Sequence, residues 1–101
     1  MLPFLRNTKS FTPPLFKNIA FSRVFKANGL PREFNFRRKI TPEKIVYDID
    51  VSDERGNRHY FSMHYTSGSW AVPEQFFPAW IIAAFPQIRT ILDEAEASQS
   101  L

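Results

Sequence analysis

Two histidines, two closely spaced aspartates and one run of three cations are the residues here whose types could do chemistry. His59 and His64 are the only histidines in the chain. Their odd spacing puts them on opposite faces of a strand, so they cannot chelate one metal together, and no cysteine is present to complete a ligand set. Asp48 and Asp50 share a face, as the carboxylates of an acid/base pair would. With Arg37 predicted opposite Asp48, and His64 diagonal to it, ordinary ionised surface carboxylates are the expectation. There is no nucleophile motif and no phosphate-cradling glycine-rich loop, with only three glycines in all. The expected protein is therefore not an enzyme: no catalytic residue, no cofactor and no metal site is assigned.

The run Arg37-Arg38-Lys39 belongs to a larger asymmetry. Residues 1–44 carry ten Lys or Arg against two acids, and residues 45–101 carry three against eight, so a chain of net charge +3 joins a +8 half to a −5 half. Such a split points to a basic segment made for an anionic surface, or to a leader, attached to a folded body. Arg6, Lys9, Lys17, Arg23, Arg37, Arg38 and Lys39 are the candidate anion-binding or nucleic-acid-binding residues. They interleave with Phe4, Phe11, Phe16, Phe21, Phe25, Phe34 and Phe36, and cations with stacking aromatics suit single-stranded nucleic acid. No zinc-finger spacing, GXXG loop or RNP-type motif accompanies them.

These side chains need elements to position them. At 101 residues, 44% apolar and 16% aromatic, the chain is one small folded domain at most. Residues 1–18 hold Pro3, Pro13 and Pro14, no acid and no sustained period, and read as a basic irregular arm. A domain is expected over 19–97 and a frayed tail over 98–101. No apolar run approaches the roughly 20 residues of a membrane span. The expected location is cytoplasmic, the alternative being an organelle with the N-terminus as transit peptide.

Alternation then predicts strands. Ile19, Phe21 and Phe25 precede Asn28-Gly29, a dipeptide suited to a tight hairpin turn. Phe34, Phe36 and Ile40 alternate with polar residues, as do Ile45, Tyr47, Ile49 and Val51, with Thr41-Pro42-Glu43-Lys44 between them as a turn. Arg58 to Thr66 places Phe61, Met63 and Tyr65 on one face, and Trp70-Ala71-Val72 offers a further short strand. Folding about the two central turns pairs Ile40 with Ile45, Phe36 with Ile49, Ile49 with Phe61 and Tyr47 with Met63, all on one apolar face. Only Arg38, opposite Tyr47, breaks that face.

Pro78 and Pro86 suit first-turn positions, so two helical pieces meeting near Phe85, or one kinked helix, should follow. Ile88, Ile91, Leu92 and Ala95 form its apolar stripe. The fold class is thus α+β: an antiparallel meander of three to five strands with a C-terminal helix packed on one face. Trp70 should pack on Trp80 or the helix stripe.

The stretch from Phe76 to Phe85, read as helix, is apolar all the way round. A small domain has little interior in which to bury it. Phe76, Phe77, Trp80, Ile81 and Phe85 are accordingly the candidate partner-binding residues. The expected function is a non-catalytic binding or assembly module, a homo-oligomer or the mate of another protein. Single-stranded nucleic-acid binding is the alternative.

Overall fold

The computed structural model describes residues 19–99, and the arm residues Arg6, Lys9 and Lys17 lie outside them. Five strands form one antiparallel sheet in the order β1-β2-β3-β4-β5: β1 Ile19–Ala27, β2 Leu30–Ile40, β3 Ile45–Ser52, β4 Arg58–Thr66 and β5 Ser69–Ala71. One helix, α1 Ala79–Gln99, follows and packs on a single face of the sheet. The expected meander is present at its upper count of strands, and the two central hairpins hold the predicted register. Ile40 faces Ile45, Phe36 faces Ile49, Arg37 faces Asp48, and across the next pair Ile49 faces Phe61 and Tyr47 faces Met63.

Local chemistry sets the turns. Asn28 and Gly29 have φ of 59° and 79°, the positive values that a two-residue hairpin loop requires and that these two residue types tolerate best. At the next turn the Thr41 hydroxyl accepts from the Lys44 backbone N–H (3.0 Å) and donates to the Lys44 carbonyl (2.9 Å). Turn and side chain together satisfy the backbone that the strands leave free.

The core lies between sheet and helix. Phe34, Phe36, Tyr47, Ile49, Val51, Phe61, Met63 and Trp70 on the sheet meet Ile81, Ala84, Phe85, Ile88, Ile91 and Leu92 on α1. Phe25 stacks on Phe34 with centroids 4.3 Å apart, and Phe21 on Phe36 at 4.9 Å, so β1 extends the apolar face sideways through cross-strand aromatic pairs.

Two details differ from the sequence expectation. α1 is one continuous helix through Pro86 rather than two pieces. Pro86 and Ile82 are both exposed, so the carbonyl left without its helical N–H donor can turn to water. The helix also continues to Gln99, past the expected boundary at 97. Trp70 takes the second of its two expected places, in the core with the α1 stripe rather than on Trp80: it packs edge-on to Tyr47 and Tyr65 and donates its indole N–H to Asp93 of α1 at 2.9 Å. The Trp70 carbonyl in turn accepts from Arg89.

Candidate binding surfaces

The period of two along each strand leaves the second face of the sheet open and polar. Ser22 of β1, Asn35 and Arg37 of β2, Asp48 and Asp50 of β3, and Arg58, Tyr60 and Ser62 of β4 stand on it. A chain of hydrogen bonds crosses four strands: Ser22 donates to Asn35 (2.6 Å), Asn35 donates to Asp50 (2.9 Å), and Arg58 ion-pairs with the same carboxylate. Beside it Ser62 donates to Asp48 at 2.7 Å, while Lys39 reaches the other Asp48 oxygen at 2.6 Å.

Burial would raise the Asp48 pKa, but the bonds from Lys39 and Ser62 and the nearby charge of Arg37 outweigh it. The carboxyl therefore titrates below its ordinary value. Both aspartates are occupied by partners. Among the described residues no three His, Asp or Glu side chains gather where they could hold a metal ion. Two open depressions, about 540 and 420 Å³, share Arg37, Asp50 and Tyr60. Arg37 has no carboxylate within ion-pair distance among the described residues, and Tyr60 is 69% exposed. Chemically this face offers a cation, an aromatic ring and hydrogen-bonding groups.

Arg37, Arg38 and Lys39 do not form one basic surface. Alternation sends Arg37 and Lys39 to the open face and Arg38 to the helix side, where only 7% of it is exposed. There the Arg38 guanidinium binds the Glu96 carboxylate through both Nε and Nη2, and the Tyr47 hydroxyl donates to Glu96 at 2.6 Å. Arg38 is thus a strut between sheet and helix rather than part of an anion-binding patch. The partner expected for Arg37 also differs, because Asp48 pairs with the diagonal Lys39 instead. Nor does His64 come within ion-pair distance of Asp48. Arg23 sits on the helix side of β1, exposed, with its guanidinium 5.0 Å from the Phe21 ring centre.

Of the five candidate partner-binding residues, Ile81 and Phe85 lie in the domain's own core and Phe77 and Trp80 pack against it, which leaves Phe76 exposed. Ile81 is completely buried and Phe85 nearly so. Phe77 packs edge-on against Phe61 and Phe85. Trp80 lies under the buried Arg32 guanidinium, 4.7 Å from its ring, and edge-on to His59 at 5.7 Å. The reason is local. Phe76, Phe77 and Pro78 precede the helix, so Phe77 reaches the sheet free of helical spacing, and the premise of an apolar helix from residue 76 fails.

A smaller remainder stays outside: Phe76 at 91% exposure and Ile82 at 51%, with Ala79, Ala83 and Pro86 exposed at helical spacing. Arg32 itself is pinned by a bond from its Nε to the Ala27 carbonyl (2.7 Å). Its Nη2 lies 3.3 Å from Glu54, off the line needed for a hydrogen bond, so the contact is an ion pair alone.

Sequence reasoning missed Tyr60, Glu96 and Asp93. Tyr60 carried a usable signal: it is a large aromatic at a position whose strand parity places it on the polar face. Glu96 and Asp93 carried none, because their partners are 58 and 23 residues away. No family model, curated protein or solved structure matches the chain.

Proposed function

We propose that the protein is a non-catalytic binding and assembly module that joins to another protein through its outward apolar residues. The observation that carries this reading is the exposure of Phe76 and Ile82 at the start of α1, after the sheet has covered Phe77, Ile81 and Phe85. Large apolar groups left in water at one end of a helix are stabilised by a partner's apolar surface, at about 25 cal/mol per Å² removed from water. The basic N-terminal half adds attraction and speed of association more than affinity. Phe76→Glu with Ile82→Glu is expected to leave the melting temperature within a few degrees of wild type and to abolish capture of a protein partner. Unchanged capture by the folded double variant refutes the reading.

A second reading follows from Tyr60 standing exposed beside Arg37 on the open face: a base stacks on the ring while the guanidinium meets a phosphate. Fluorescence anisotropy with a mixed-sequence single strand at about 50 and 200 mM salt tests it. Tyr60→Ala should weaken binding by roughly 1–3 kcal/mol per stacked base, and affinity should fall steeply with salt. Absent or salt-independent binding removes this reading.

A further inference from the structure

The outer edge of β1 is a second unpartnered surface of a different kind. Among the described residues no strand pairs with it, although it runs the full length of Ile19–Ala27. The two-residue loop after Ala27 makes Ala27 and Leu30 a hydrogen-bonded pair. Counting back, Phe25, Arg23, Phe21 and Ile19 direct their backbone groups to β2, so Ala20, Ser22, Val24 and Lys26 present N–H and C=O outward. Long open edges of this sort pair with another strand unless blocked. Lys26 is the one outward charge, at the far end.

We propose that β1 pairs antiparallel with β1 of a second copy, about a two-fold axis at Ser22, joining the two sheets into one. The proposal rests on the assembly reading and names a second copy as the partner. The strand is self-complementary in this register. Ser22 meets Ser22 of the other copy, Ala20 meets Val24, and Val24, now 65% exposed, loses its contact with water. On the helix side Ile19 meets Phe25 and Arg23 meets the Phe21 ring, the type of partner it already uses within one chain. An axis at Arg23 would set two guanidiniums opposite each other. An axis at Val24 would strand Ile19 and Ala20 and set Lys26 over Ser22. The Ser22 register forms about six new backbone hydrogen bonds.

Because the chain has no cysteine, a single one reports the register cleanly. Across the axis the Cα atoms of Ser22 stand about 5.5 Å apart, within disulfide reach, whereas those of Val24 stand about 14 Å apart. The full-length chain should sediment at twice its 11.8 kDa mass. Ser22→Cys should link most of the protein into a disulfide dimer under mild oxidation, and Val24→Cys should not. Val24→Pro removes an outward N–H and should weaken the dimer roughly tenfold or more; Val24→Lys, which keeps the backbone donor, serves as a second variant should the proline disturb the strand.

A monomer at high concentration, linkage of Val24→Cys in place of Ser22→Cys, or a dimer indifferent to both Val24 changes each overturns the proposal. Capture of a protein partner that Phe76→Glu abolishes, with the chain itself monomeric, would refute edge pairing and leave the assembly reading standing. A Ser22-linked dimer whose capture of a protein partner is unaffected by Phe76→Glu with Ile82→Glu would refute the apolar surface and leave the edge.

Discussion

Ile81→Glu is expected to unfold the protein, and Ile82→Glu, one residue along the same helix, to change its stability by no more than about 0.5 kcal/mol. Ile81 has no exposed surface and sits in the core against the sheet, while Ile82 is half in water. Placing a carboxylate at 81 forfeits the burial of an isoleucine, roughly 2–3 kcal/mol, and adds the desolvation of a charge in the apolar core. A loss of at least about 4 kcal/mol follows, most of what a small domain possesses. Circular dichroism melts of the two variants test this, and a folded Ile81→Glu protein would contradict the burial described here. The contrast also decides which substitutions can probe association. Charge at 81 destroys the domain, whereas charge at 76 and 82 addresses the surface alone.

The second large effect is expected at the strut between sheet and helix. Glu96→Ala should cost about 3 kcal/mol, because it leaves the Arg38 guanidinium buried without its anion and the Tyr47 hydroxyl without its acceptor. Replacing all three groups together, Arg38→Met with Tyr47→Phe and Glu96→Leu, should bring stability back to within about 1 kcal/mol of wild type, since an apolar set of similar volume carries no desolvation cost. A triple variant as unstable as the single one would show that packing, rather than the unpaired charge, sets the loss.

The strut also has a pH signature. Burial pushes the Glu96 carboxyl up, but the bonds from Arg38 and Tyr47 push it further down, so its folded value lies below the ordinary 4.5. Above 4.5 the carboxylate's stabilisation is fully present, and it is lost as pH falls through the lower folded value. Wild type and Glu96→Gln should therefore differ most near neutrality and converge in acid. At the alkaline end the sign reverses. Burial, then the Glu96 charge, raises the Tyr47 hydroxyl above its ordinary 10.0. Its contribution is intact below pH 10 and fades as pH rises beyond it.

How much of this was legible depends on the range of the interaction. The hairpin registers could be read because turn and alternation are local: Pro42 and Gly56 locate the reversals, and parity then assigns Phe36 to Ile49 and Tyr47 to Met63. The same parity separates Arg38 from its neighbours Arg37 and Lys39. It marked Arg38 as the odd residue on the apolar face, but could not say that a glutamate 58 residues later would meet it. Pro86 was read as a helix start because proline suits that place, yet a proline on a solvent-facing helical position loses only a bond that water can replace.

The order of strands, their facing pairs, the single apolar face and the stripe of α1 were determined by the sequence, since each depends on periods of two or 3.6 residues and on turns of a few. Tertiary structure alone decided how α1 lies across that face. It thereby determined that Phe77, Ile81 and Phe85 are core while Phe76 and Ile82 are not, that Glu96 closes on Arg38, and that Asp48 takes Lys39 in place of Arg37. Those outcomes depend on distances between groups far apart in the chain, which emerge only when sheet and helix compete for the same apolar surface.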